Sequence, residues 1–346
     1  MRILVTGGAG FIGSHIAEHY ANRGDDVVCY DNLSRANLLA KSLNSTYNWN
    51  YLKGFSNVRL IKGDVRDLEG LKKVAKDVDA IIHTAAQTAV TTSIEDPKTD
   101  FEVNALGTFN ILEAARLSNS GPLVIYCSTN KVYGKNVNKV SVIEKESRYV
   151  FKEKFKKGIA ETVPIDLCEH TPYGCSKLSG DSYVQDYGHL YGLKTGVFRM
   201  SCIYGTRQFG VEDQGWVAWF AIATILGQPI TIYGDGKQVR DVLYVDDLVS
   251  AFDSFIAGDL RHEVFNIGGG PENTMSLLEL LDLLEKLTGK RSEIKFASWR
   301  PSDQKVYISD ISQAKIKLNW EPKISPDQGV ERLVAWVRQN GSILKG

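Results

Sequence analysis

Two side chains able to move a proton stand four residues apart in the stretch YGCSK, Tyr173 and Lys177. At helical spacing the phenol and the ammonium share one face. A tyrosine titrates near about 10 in water, too high for a base at neutral pH. A neighbouring cation and a helix N-terminus both favour the phenolate. Upstream, STNKVYG (128–134) offers Ser128 or Thr129 to hold a reacting hydroxyl beside that oxygen.

The elements that position this pair begin at the N-terminus. TGGAGFIGS (6–14) joins a strand pattern, RILVT (2–6), directly to an amphipathic helix pattern over 11–24. Gly7, Gly10 and Gly13 follow G-x-x-G-x-x-G, a variant of the dinucleotide fingerprint. Gly7 allows the tight turn, Gly10 lets the backbone approach a pyrophosphate, and Gly13 lets helix pack on strand. Phe11 and Ile12 open the helix. Asp31 ends the second strand pattern, where a carboxylate accepts from adenosine ribose hydroxyls and repels a phosphate on them. NAD is therefore expected over NADP, although Arg35, beside Asn32 and Ser34, is within reach of a ribose phosphate. Asp64, followed by Val65 in KGDVRD, is placed either to meet the adenine or to cap the helix LEGLKKVAK. An oxidised nicotinamide would add a further positive charge in favour of the Tyr173 phenolate.

The remaining pattern alternates strands (26–31, 58–64, 79–86, 123–129, 195–199) with helices near 98–118 and 173–191. Apolar strands separated by helices predict an α/β fold, a doubly wound, Rossmann-type parallel sheet with its ligand at the strands' carboxyl ends. Residues 1–199 are expected to form the NAD-binding domain, with a charged insertion at 135–171 near the active site. Residues 200–346 are expected to form mostly a smaller α/β sugar-nucleotide lobe, interleaved with the first. Lysine plus arginine equal aspartate plus glutamate, 41 each, which argues against a nucleic-acid partner. Five cysteines without a C-x-x-C pair read as reduced thiols. No leader and no run long enough to span a bilayer is seen, so a cytoplasmic protein with no membrane partner is expected. No metal is expected.

These motifs, with HTAA (83–86), NALGTFNILEAAR (104–116) and GDGKQVRDVLYVDDL (234–248), fall in the order of the extended short-chain dehydrogenase/reductase family, which the whole chain resembles. The resemblance implies Tyr173 as catalytic base, Lys177 as its partner and Thr129 beside them. It implies Ala85, Ala86, Gln87, Asn104 and Ser128 along the cofactor, with Asn104 steadying the active-site helix. Family 4,6-dehydratases carry an Asp-Glu pair after the Ser-Thr; here Asn130 and Lys131 stand there, so elimination is not expected and epimerisation is. VTTSIEDP (90–97), HTPYGCSK (170–177) and RQFGVEDQGWVAWF (207–220) are similar to the CDP-paratose 2-epimerases, implying inversion at carbon 2. A UDP-hexose 4-epimerase using the same chemistry is the alternative, although many such enzymes place Asn where Cys202 stands. The resemblance further implies Asn130, Arg207, Gln208, Gln238, Arg240, Arg300, Asp303 and Tyr307 as substrate contacts, the arginines meeting the diphosphate. It also implies a homodimer or homotetramer formed through the helices near 98–118 and 173–191.

Overall fold

The computed structural model describes residues 1–35, 46–152, 155–300 and 303–344. In chain order the strands are β1 (Arg2–Thr6), β2 (Asp26–Asp31), β3 (Val58–Lys62), β4 (Ala80–His83) and β5 (Leu123–Thr129). A hairpin follows, β6 (Val142–Glu144) and β7 (Tyr149–Phe151), then β8 (Thr195–Met200), β9 (Cys202–Tyr204) and β10 (Ile230–Tyr233). The last five are β11 (Val239–Tyr244), β12 (Glu263–Ile267), β13 (Thr274–Ser276), β14 (Ile294–Ala297) and β15 (Val306–Tyr307).

Two compact units emerge, Met1–Val132 with Thr171–Arg199 and Val249–Phe265, and Tyr133–His170 with Met200–Leu248 and Asn266–Gly346. Residues 133–170, which contain most of the charged insertion, thus fold with the later part of the chain.

The first unit is built on a seven-stranded parallel sheet in the order β12-β8-β5-β4-β1-β2-β3. Its inner strands are buried along almost their whole length, as a parallel sheet covered on both faces requires. Thr6 pairs with both Tyr30 and His83, so β1 lies between β2 and β4. The chain therefore runs outward from β1 to β3 and returns on β1's other side. That reversal opens a crevice at the carboxyl ends of β1 and β4, the place where such sheets bind ligands. Leu4, Ile81, Ile111, Leu112, Val124 and Val184 belong to the core beneath it.

The helix expected over 98–118 is interrupted. Pro97–Phe101 leads into a π-helical turn, Glu102–Leu106, and only then into the regular helix Gly107–Arg116. Asp100 and Asn104, one turn apart on either side of this junction, are both buried.

In the second unit β11 pairs with β13, β15 and β9, and β10 pairs with β14. Capping boxes start two of its helices, Ser276 with Glu279 and Ser325 with Gln328. The fully buried Asp241 carboxylate accepts from the Ser201 hydroxyl and from the backbone of Gly270 and Ser309, tying three segments to β11.

Candidate active site

The glycine turn follows β1 at the crevice. Gly7 has φ +72°, and a Cβ there would lie 2.7 Å from the Ala85 backbone nitrogen. A Cβ on Gly13 would stand 2.2 Å from the Gly7 carbonyl oxygen, so the helix Phe11–Asn22 starts hard against the turn. No side chain caps that helix at Gly10, which leaves its first N–H groups facing the turn. Phe11 packs edge-on against His15. A dinucleotide fits this cradle, because anions are favoured at a bare helix N-terminus.

Asp31 stands at the end of β2, its carboxylate accepting from Ala9 N at 3.0 Å and Leu33 N at 2.7 Å. Burial raises its pKa and these two hydrogen bonds oppose the rise. Asn32 donates to Asp64 at 2.8 Å and accepts from Ser34 N at 2.9 Å. Arg35 is half-buried, and its loss of solvent lowers its pKa. Asp64 is held by Arg66 through Nε (3.0 Å) and Nη2 (2.8 Å), and its pKa falls to about 2. Capping of the helix Leu68–Ala75 falls to Asp67 instead, which accepts from Gly70 N. The buried Val65 offers its carbonyl to Asn110.

Beyond β4, Ala85 and Ala86 lead to Gln87, whose backbone is clasped by Asn104. The Gln87 N–H donates to Asn104 Oδ1 (2.9 Å) and its carbonyl accepts from Nδ2 (3.0 Å). That amide also donates to Asp100 (3.0 Å) and to Ser176 (3.1 Å) on the helix Thr171–Tyr191.

Ser128 and Thr129 end β5 and divide their work. Ser128 donates to Asp181 at 2.7 Å, whereas the Thr129 hydroxyl, turned toward Asn130 Oδ1 at 3.4 Å, stands where it lowers the pKa of Tyr173 and so favours its phenolate. Burial dominates over that effect and pushes Tyr173 up to about 12. Lys177 is buried, its Nζ donating to the Cys127 carbonyl at 2.7 Å and lying 4.2 Å from the Tyr126 ring centroid. Burial draws its pKa down to about 8. Its hydrogen bond thus goes to β5 rather than to the phenol. Asn130, next to Thr129, is buried.

In the second unit, Arg240 and Tyr307 are paired across β11 and β15. Arg240 donates to Asp303 at 2.6 Å and to the Val239 carbonyl at 2.8 Å. Tyr307 is fully buried. Arg300 is separately engaged, 2.7 Å from Asp213, donating to the Glu212 carbonyl at 3.0 Å and stacked 4.1 Å from the Tyr233 ring centroid. Gln238 reaches the Tyr233 carbonyl at 2.8 Å. Arg207, with φ +57°, and Gln208 are buried in the preceding loop. The Trp216 indole donates to the Cys202 sulfur at 3.4 Å.

Sequence reasoning missed Asp100, Ser176 and Asp181. Asp181 and Asp100 were both readable, each one helical turn from an expected site residue, Lys177 and Asn104. Among the described residues no helix is long and apolar enough to cross a membrane.

Known proteins carry the same frame. The family model for the NAD dependent epimerase/dehydratase family matches residues 3–268. The chain is 40% identical to a CDP-paratose 2-epimerase of Salmonella typhi, over 97% of this chain and 99% of that enzyme. It is 34% identical to a putative UDP-glucose 4-epimerase of Methanocaldococcus jannaschii, over 98% and 99%. The UDP-glucose 4-epimerase of Thermus thermophilus, solved with NAD, superposes with a TM-score of 0.78 at 32% identity, covering 98% of this chain and 99% of that one. The chain thus belongs to the NAD dependent epimerase/dehydratase family, within the extended short-chain dehydrogenases/reductases, and its cofactor is NAD.

Proposed function

We propose that this enzyme inverts carbon 2 of a cytidine-diphosphate 3,6-dideoxyhexose, interconverting CDP-paratose and CDP-tyvelose through a transient 2-keto sugar. The observation that carries this reading is the 40% identity to a CDP-paratose 2-epimerase along nearly the whole of both chains. When bound, NAD would supply the redox chemistry, reversible acceptance of a hydride from the sugar carbon. Thr129 holds the sugar hydroxyl beside Tyr173, which takes its proton as phenolate and later gives it back. Lys177 contributes the positive charge that this ionisation needs. Gly7, Gly10 and Gly13 cradle the pyrophosphate, Asp31 takes the adenosine ribose, and Asn104 fixes the Gln87 segment along the cofactor. Arg240, Arg300 and Arg207 meet the nucleotide diphosphate. Asn130 and Lys131 leave the site without the acid and base of an elimination.

The test is proton NMR of CDP-paratose with the purified enzyme in deuterated water, adding no cofactor. Interconversion with protium retained at carbon 2 is expected. A UDP-hexose 4-epimerase is the second reading, favoured by the 34% identity to a putative UDP-glucose 4-epimerase; turnover of UDP-glucose but of no CDP sugar would establish it. Exposed Phe101, Leu106 and Leu117 near one helix and Tyr183, Leu190 and Tyr191 on the other support a homo-oligomer formed there, checked by sedimentation.

A further inference from the structure

Asp100 is wholly out of solvent, on the turn before the π-helical segment. Both of its oxygens accept from neutral groups, Oδ2 from Ser176 Oγ at 2.5 Å and Oδ1 from Asn104 Nδ2 at 3.0 Å. Among the described residues no lysine or arginine ion-pairs with it. The other buried acid nearby, Asp181, is answered by a fork from Arg199 at 2.9 and 3.0 Å. Lys177 is the buried cation whose hydrogen bond goes to a carbonyl rather than to an acid. A buried charge of either sign is costly alone.

We propose that Asp100 is a positioning residue for the Tyr173–Lys177 pair, fixing the first turn of their helix through Ser176 and serving as the counter-charge of Lys177. It rests on the roles of Tyr173 and Lys177 given above. Several titratable groups face each member. Burial lowers Lys177, and Cys127, Asp181 and Asp100 oppose that fall. Burial raises Tyr173, Thr129 opposes it, and Asp100 and Cys127 add to the rise. Burial raises Asp100 itself, opposed by Ser176 and by Lys177. His83, which also feels Lys177, stays neutral. Removing the Asp100 charge thus lowers Lys177 and Tyr173 together.

The near-isosteric Asp100→Asn variant tests this. Both limbs of the kcat–pH profile, measured on whichever nucleotide sugar turns over, should move down by roughly one unit. Asp100→Glu, which keeps the charge, should leave the limbs in place even if the plateau falls. NMR titration of 13C-labelled lysine, with Lys177 assigned from a Lys177→Met variant, needs no substrate and should show the Lys177 midpoint falling by a similar amount. A lowered plateau with unmoved limbs, or an unmoved midpoint, overturns the proposal. No turnover on any nucleotide sugar together with a shifted midpoint overturns the catalytic reading but supports the Asp100–Lys177 coupling. If Asp100→Asn does not fold, Lys177→Met carries the same test, since the Asp100 carboxyl must then titrate higher.

Discussion

Ser128 donates its hydroxyl to the buried Asp181 carboxylate at 2.7 Å. One of two adjacent hydroxyls is therefore engaged inside the protein, while Thr129 is the one that favours the Tyr173 phenolate. Thr129→Val should lower turnover by about 100-fold, the usual range for a positioned proton-transfer partner. Ser128→Ala should keep turnover within about tenfold and lower stability by about 1–2 kcal/mol. Asp181 would still hold Arg199 and Gln185. Steady-state rates and urea midpoints of the two variants decide it; the reverse order would return the catalytic role to Ser128.

The Asp181–Arg199 pair has almost no solvent, Asp181 at 0% and Arg199 at 5% exposure. Arg199→Met should cost about 3–5 kcal/mol, because it leaves a buried carboxylate without its cation. Adding Asp181→Asn should recover part of that loss. A double-mutant cycle by urea denaturation measures the coupling, and simple additivity would show that the two charges do not answer each other.

Much of the first unit was legible because a parallel sheet buried on both faces writes its strands as continuous apolar runs. RILVT, DVVCYD and LVIYCST match β1, β2 and β5 residue for residue. The glycine turn was legible for a related reason, since close approach of Gly13 to Gly7 admits no side chain. What stayed hidden depends on partners distant in sequence. Asp213 and Arg300 are joined by a loop pairing that no periodicity announces. The hairpin at 142–151 lies within a charged, weakly periodic stretch and was not expected as strands. The hydrogen bond from the Lys177 ammonium to the Cys127 carbonyl likewise has no local signal in the sequence.

His83 joins β4 to the π-helical region through a directed chain. Thr108 donates to the Asn104 carbonyl at 2.6 Å, so it accepts from His83 Nε2 at 3.0 Å. Nδ1 then accepts from Thr6 at 2.7 Å, and the ring is neutral. Burial, with Lys177 adding to it, pulls its pKa down to about 3. Because that lies below the unfolded value, the stability held by neutral His83 is complete above about 6.5 and is lost as pH falls toward 3. The loss should reach about 4 kcal/mol by the end of that window. His83→Gln, which cannot titrate, should be less stable at neutral pH yet flatter between pH 6.5 and 4. Equal slopes in urea midpoint against pH for the two proteins would place the acid sensitivity elsewhere.

Arg240 and Arg300 are both matched by carboxylates, but unequally. Arg240 is 8% exposed and bonds Asp303 at 2.6 Å, whereas the Asp213 side chain that holds Arg300 is 52% exposed. A solvated ion pair contributes little, so a diphosphate would displace Asp213 from Arg300 at small cost. Asp213→Asn should therefore tighten binding of CDP by roughly two- to fivefold, as the guanidinium no longer has a competing anion. Arg240→Ala should weaken it by about tenfold or more, since a charge-assisted hydrogen bond is lost and Asp303 is left without its cation. Calorimetric titration with CDP alone reads both variants without turnover. An Asp213→Asn affinity equal to that of the unmodified enzyme would mean that Arg300 serves the fold of its loop and does not meet the nucleotide.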